Sequence, residues 1–353
     1  MKILVIQQKM IGDVLTTSIL FEVLRAKYPD AELHYLINSH TLPVVENNPF
    51  IDEFVFFTKE IENSKTEFYK FLKRIKAEKY DTVIDVYGKL SSNLISYFTK
   101  AETKISIKKS YSSFLYNHTF KDSKTPKTNA GLAIENRLQL LQPLLGKIPQ
   151  PIKPKIYLTN TEIEKTKAFL ISNSIDLNKP LIMIGVLGSD LSKTYPFEYM
   201  ASVLDYIIET YPDVQLLFNY IPKQLEDANA IYNLCKVETK KRIRLNVFGK
   251  SLRDFICITH FCDALIGNEG GAVNMAKALN TPTFTIFSPW IDKAAWSLFE
   301  NGTTNISVHL KDFKPELYKN TTYKAIKKDY SNFYNYFKPE FLLDNLTVFL
   351  KNL

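Results

Sequence analysis

Short β-branched runs alternate with amphipathic stretches along this chain in two successive series, and that order restricts the fold more than any other feature. In the first series strands are expected at Lys2–Ile6, Glu32–Ile37, Glu53–Phe57 and Thr82–Val86. Between the first two lies GDVLTTSILFEVLRAKYPDA, where Val14, Leu15, Ile19, Val23 and Leu24 recur at helical spacing until Pro29 stops them. A Lys- and Glu-rich helix is expected at about 62–78, and another in SSNLISYFTKA. The second series follows IPQPIKPKIYLT (148–159), whose prolines Pro149, Pro151 and Pro154 favour an extended linker. Its strands are expected at Leu181–Val186, Gln215–Asn219, Arg244–Val247, Ala264–Ile266 and Thr283–Phe287. The aromatic tail Phe313–Phe341 is expected to close the chain as a helical segment, with a helix from Pro339 to Leu350. Strand–helix alternation of this kind belongs to α/β proteins with parallel sheets. Two such series joined by one linker imply two Rossmann-like domains facing a central cleft. The expected division is 1–150, 151–335 and a C-terminal helix over 336–353.

Composition limits the classes further. With 353 residues and 45 % hydrophobic content the chain exceeds one ordinary core, in keeping with two domains. Cys235, Cys257 and Cys262 are too few for a disulfide framework and fit a reducing compartment. No stretch of 18 apolar residues is present, and the start MKILVIQQKMIGD lacks a signal-peptide core, so a cytoplasmic protein is expected. The net charge of +8 is unevenly divided, with +7 on residues 1–155. Residues 100–128 hold seven lysines against Glu102 and Asp122. Such a run is either a solvated surface or a positive field for an anionic partner. Nucleic acid is disfavoured, because no zinc-finger spacing, RNP-type aromatic motif or arginine-rich arm accompanies the lysines.

Three strand-to-helix junctions carry residues suited to chemistry. In QQKMIGDVL, Gly12 permits a tight turn and Asp13 falls in the first helical turn. There it either caps exposed N–H groups or presents a carboxylate at the sheet edge where α/β ligand sites lie. In DALIGNEGGAVNMAKALNTPTFTIF, Gly270 and Gly271 precede a helix from about Ala272 to Leu279, a turn able to admit a phosphate to free N–H groups. In LIMIGVLGSDLSKTYP, Ser189, Ser192 and Lys193 follow a strand and can contact a phosphate. Neither G-x-G-x-x-G nor a Walker loop occurs.

Together these junctions resemble glycosyltransferase family 9, the ADP-heptose:lipopolysaccharide heptosyltransferases. The resemblance begins with MKILVIQQKMIGDVLTTSILFEVLRAKYPDAEL and continues through DTVIDVYGKLSSNLISYFTKAETKISI and the GSDLSKTYP loop. It ends with LNVFGKSLRDFICITHFCDALIGNEGGAVNMAKALNTPTFTIFSPW, so that it reaches residue 290. It implies a GT-B fold and an inverting, metal-independent transfer that needs no cofactor. The donor implied is a nucleoside-diphosphate sugar, ADP-linked if family-like, with heptose among the candidate sugars. The acceptor implied is a phosphorylated glycolipid or other surface glycan at the inner face of the inner membrane, with peripheral membrane contact.

Carried over by position, the resemblance makes Asp13 the general base, and Ser189, Lys193, Glu269, Gly270, Gly271 and Asn274 the donor-binding set. Glu269 stands where the family has Asp, and Asn274 where it has His in its Asp-Ser/Thr-Gly-x-x-His pattern, which loosens any inference to ADP-heptose itself. Gln7 and Lys9 also depart from the family's first loop. Lys9, Lys89, Lys108 and Lys109 are candidates for the acceptor or membrane surface. Two other readings use the same features: a nucleotide-sugar 2-epimerase, disfavoured by the His-poor motifs, and a binding protein with a decayed donor site. The set Cys257, His260 and Cys262 lacks a usual zinc spacing. Trp290 and Trp296 are expected in a packed core or lid.

Overall fold

The computed structural model describes residues 1–353 as two compact units, Met1–Tyr157 and Leu158–Leu353. In the first, six parallel strands lie in the order β3-β2-β1-β4-β5-β6. They are β1 (Lys2–Ile6), β2 (Glu32–Ile37), β3 (Glu53–Phe56), β4 (Thr82–Asp85), β5 (Thr103–Ile107) and β6 (His118–Phe120). β1 is central because Ile3–Ile6 are all apolar and fully buried, as a strand covered by helices on both faces requires. One side of this sheet packs Leu4, Ile6, Leu36 and Val83 against Phe71, Ile75 and Ile95 of the flanking helices.

The second unit has five parallel strands in the order β11-β10-β9-β7-β8. These are β7 (Leu181–Gly185), β8 (Gln215–Phe218), β9 (Ala264–Asn268), β10 (Thr283–Ile286) and β11 (Asn305–Val308). The closing helix Glu340–Leu350 belongs to this core, with Leu342, Leu346 and Phe349 fully buried and Phe349 against the Phe284 ring. In both sheets the strand order reverses beside the first strand of the unit, at β1/β4 and at β7/β9. Loops leaving the carboxyl ends at such a reversal diverge, and ligands of open α/β sheets bind there.

Several expectations change. The boundary lies at 157/158, later than 150/151, because the extended run before it is held by the first unit. Ile156 is buried, Lys155 pairs with Glu22 at 2.8 Å and Tyr157 meets Phe50 edge-on. The 336–353 segment is part of the second unit and does not stand apart. Arg244–Val247 is not a strand; this region offers the sheet one parallel bridge, Ile243 with Leu216. The first helix divides at Ser18 into Ile11–Thr17 and Ile19–Lys27, and the Lys/Glu-rich helix divides at Ser64 into Lys59–Asn63 and Lys65–Ala77. The aromatic tail packs as several short helices, with Tyr195 ringed by Tyr334 and Phe337. No helix is long and apolar enough to cross a membrane.

Candidate active site

β1 runs out at Ile6, and the loop Gln7–Met10 delivers the helix Ile11–Thr17. The fully buried Tyr35 donates its hydroxyl to the Val14 carbonyl at 2.8 Å and so fixes the start of that helix. Asp13 then projects from the first turn. Its Oδ1 accepts a 2.6 Å bond from Arg137 Nη2, and its Oδ2 lies 3.5 Å from the Met10 N–H, the outer limit of a hydrogen bond. Arg137 is itself held by Thr17 Oγ1 (2.8 Å from Nε) and the Ala133 carbonyl (2.6 Å from Nη1). The arginine side chain is 10 % exposed and the aspartate 25 %. A fixed guanidinium thus anchors one carboxylate oxygen, while the other is held only by the long contact to the Met10 N–H.

Beside this loop, Ser91 donates to Gln8 Oε1 at 2.7 Å, joining it to the helix Leu90–Thr99 that follows β4. The buried Asp85 pins the β4 exit. It accepts from the Gly88 N–H at 2.8 Å and the Tyr116 hydroxyl at 2.6 Å. Burial nevertheless pushes its carboxyl above the ordinary range, against the pull of those bonds.

At the second reversal the strands nearly touch. A side chain at Gly267 would meet the Gly185 carbonyl at 2.3 Å, and one at Gly188 would meet the Lys193 carbonyl at 2.4 Å, so both glycines are required by close packing. Asn268 ties the loop down: its Nδ2 donates to the Gly185 carbonyl at 2.9 Å and its Oδ1 accepts from the Tyr195 N–H at 2.7 Å. Within the Gly188–Tyr195 loop, Asp190 accepts from Ser192 N (3.0 Å), Ser192 Oγ (2.5 Å) and Ser189 Oγ (3.2 Å). Burial opposes ionisation of Asp190, but the Ser192 and Ser189 bonds and the charge of Lys193 outweigh it and hold the carboxyl below its ordinary range. The Ser192 carbonyl accepts from Ser288 Oγ (2.6 Å) and Trp290 Nε1 (2.9 Å).

The loop so fixed places Lys193 Nζ 3.1 Å from Glu269 Oε1, where the two charges attract without the alignment of a hydrogen bond. Here the carboxylate is the buried partner, 8 % exposed, and the lysine is 25 % exposed. Gly270 and Gly271 follow at the start of the helix Gly271–Ala278, and a side chain at either would meet nothing within 4 Å. The space before these helical N–H groups is therefore open, and Asn274, half-buried, lies one turn on. Trp290, expected in a packed core or lid, has Lys193 Nζ 5.4 Å and Lys327 Nζ 4.2 Å from its ring.

The structure thus places Ser189, Lys193, Glu269 and Gly270 on the loops after β7 and β9, and Gly271 and Asn274 in the first turn or so of the helix that follows β9. The tentative acceptor residues do not form one set. Lys9 pairs with Glu62 at 2.6 Å and Lys109 donates to the Gly88 carbonyl at 2.6 Å, while Lys89 and Lys108 are exposed. Arg137 and Asp85 were missed by sequence reasoning, since nothing in LAIENRL, where Glu135 and Asn136 precede it, marks the arginine as a partner of Asp13. The three cysteines are buried and His260 is exposed. Glu32, His34 and Glu53 do converge within 4.8 Å, but at the opposite, amino-terminal end of the first sheet, and Lys2 Nζ already lies 3.1 Å from Glu32.

Two parallel α/β sheets, each with its polar loops at a strand-order reversal, are the architecture of GT-B glycosyltransferases. The model of glycosyltransferase family 9 (heptosyltransferase) matches residues 68–327, and the chain belongs to that family and is a glycosyltransferase. It is similar to lipopolysaccharide heptosyltransferase 1 of Campylobacter coli, with 24 % identity covering 81 % of this chain and 84 % of that one. Among solved structures it is similar to a family 9 glycosyl transferase of Veillonella parvula, with TM-score 0.76 and 19 % identity over 94 % of this chain and 97 % of that one. It is also similar to ADP-heptose lps heptosyltransferase II of Escherichia coli, with TM-score 0.69 and 19 % identity over 95 % and 98 % of the two chains. These likenesses bear out the GT-B expectation.

Proposed function

We propose that the protein moves a sugar from a nucleoside diphosphate to a hydroxyl of a lipopolysaccharide-type or related surface-glycan acceptor, with inversion at the anomeric carbon. An ADP-linked heptose is the first donor to try, since two of the three relatives just described are named for heptose. The observation that carries the reading is the opposite burial of two ion pairs. At the β1 exit the cation is buried and the carboxylate turned outward; at the β7 and β9 exits the carboxylate is buried and the cation turned outward.

An outward carboxylate suits a general base, and an outward ammonium beside open helical N–H groups suits a diphosphate. In the proposed step the acceptor oxygen attacks the anomeric carbon while Asp13 Oδ2 takes its proton. The anomeric C–O bond breaks, and its electron pair leaves on the diphosphate. Lys193 and the helix start at Gly270–Gly271 stabilise that charge, with Ser189 as a further donor and Glu269 holding the lysine in place. Asn274 can give and accept hydrogen bonds but adds no charge, so it suits sugar or ribose hydroxyls. The donor thus belongs to the second unit and the acceptor to the first.

A thermal-shift panel of ADP-, GDP- and UDP-sugars on the wild type and on K193A tests this assignment. One nucleotide series should raise the melting temperature of the wild type and fail to do so with K193A. Absence of any shift with all three series would overturn the donor site.

A further inference from the structure

The aromatic segment after β11 returns to the loops that carry the donor residues. Tyr318 donates its hydroxyl to the Pro289 carbonyl at 3.0 Å, and Tyr334 donates to the Ser192 carbonyl at 3.4 Å. Both sides of the helix Tyr323–Lys328 are thereby fastened to the site. Thr322 caps this helix by accepting from the Ala325 N–H at 3.2 Å, and Ile326 is its one buried residue. With Ile326 turned inward, Lys324, Lys327 and Lys328 stay exposed, and Lys327 falls beside Trp290. The indole is held in its turn, since Nε1 donates to the Ser192 carbonyl at 2.9 Å. Two ammonium groups thus share one ring, Lys327 Nζ at 4.2 Å from its centroid and Lys193 Nζ at 5.4 Å. An aromatic face attracts a cation without supplying a counter-charge. Lys193 has Glu269 at 3.1 Å for that purpose, whereas no carboxylate pairs with Lys327. Asp190, the other carboxylate of these loops, is turned onto Ser189 and Ser192.

We infer that Lys327 is a second cation of the donor site, placed by Trp290 to meet the outgoing diphosphate. A diphosphate carries more negative charge than Lys193 alone offsets, and the open N–H groups at Gly270–Gly271 supply only partial charge. When the anomeric C–O bond breaks, its electron pair stays on the diphosphate oxygen, and a second ammonium stabilises the charge that develops there. Trp290 is a positioning residue in this arrangement. It touches no reacting atom, and it keeps two like charges within reach of one anion that neither could leave without giving up the ring. The inference rests on the proposed diphosphate donor and adds to it a residue from outside the strand-end loops.

The test is isothermal titration of the full chain with ADP, GDP and UDP, comparing the wild type with K193A, K327Q and K327R. For the nucleotide that binds, K327Q should weaken affinity by about five- to tenfold, with the melting temperature of the free protein unchanged because the side chain is exposed. Affinity should fall as salt rises, and less steeply for K327Q than for the wild type. K327R should bind within about twofold of the wild type, since it restores both the charge and the contact with the ring. If Trp290 places the lysine, the loss caused by K327Q should shrink below about twofold in a W290L background, and two full, additive losses would overturn the positioning role. Unchanged affinity in K327Q beside lost affinity in K193A overturns the inference and leaves the proposed donor site standing. A K327R variant as weak as K327Q overturns it too, because charge would then not be what Lys327 supplies. Absence of binding by all three nucleotides to the wild type overturns the inference together with the donor reading.

Discussion

The carboxyl ends of the two sheets pair the same kinds of charge and bury opposite partners. In the first unit Arg137 is sunk between Thr17 and the Ala133 carbonyl, and Asp13 is left to meet solvent. In the second, Glu269 lies at the exit of β9 beneath Lys193. A buried charge is tolerable when its partner stays close, so each inner residue constrains the outer one and the outer residue determines what the edge attracts. On the proposed assignment, the sign of the exposed partner, more than the presence of an ion pair, divides the labour between units. Neither pair is a surface ornament of the kind worth little to stability.

The sharpest way to break this comparison is D13N. It removes the proposed proton acceptor but keeps the shape, and turnover should fall by about two to four orders of magnitude while the nucleotide-sugar thermal shift survives. Transfer at the wild-type rate would remove Asp13 from the role of base. K193A should come next. Loss of the outward cation at the leaving group should lower turnover by about 10²–10³, measured with saturating acceptor, and should also lower the melting temperature because Glu269 stays buried without its partner.

R137M touches the inner partner of the first pair. We expect turnover about 10- to 100-fold lower with the donor KM little changed, because the carboxylate loses the bond that aims it. Stability should drop by about 1–3 kcal/mol in urea titrations. A loss of stability with turnover unmoved would make Arg137 structural and weaken the symmetry of the comparison.

The smallest effect belongs to a third pair that serves no site. Arg253 Nε donates to Glu162 at 2.6 Å, and this bond holds the Glu162 carboxyl down to about 2 against the opposing effect of its burial. A depressed carboxylate stabilises the fold above its unfolded value and ceases to do so as pH falls through its folded value. Between pH about 4.5 and 2 the wild type should therefore lose stability that R253M lacks already, and melts across that range should converge at the acid end.

How far the sequence carried depends on range along the chain. Runs such as Lys2–Ile6 and Leu181–Gly185 were legible because burial on both faces demands unbroken apolar residues. Arg244–Val247 misled because its alternating pattern suits a strand, yet the chain beside β8 forms one bridge at Ile243. β5, β6 and β11 were passed over, being short and partly polar, and they owe their state to the neighbour they pair with. At the sites, residues near a junction glycine could be found from the sequence. Arg137 could not, since it reaches Asp13 across 124 positions and only the folded sheet edge brings them together.

The glycines at the second reversal carry a consequence for how such an enzyme changes over generations. Gly188 and Gly267 are locked by backbone on every side, and Gly270 by its φ of 149°, so drift at these positions unmakes the loop. Gly271 is under no such restraint from packing, since a side chain there would meet nothing within 4 Å. Heritable variation can accumulate there while the frame persists, so the mouth of this loop can change without passing through an unfolded ancestor.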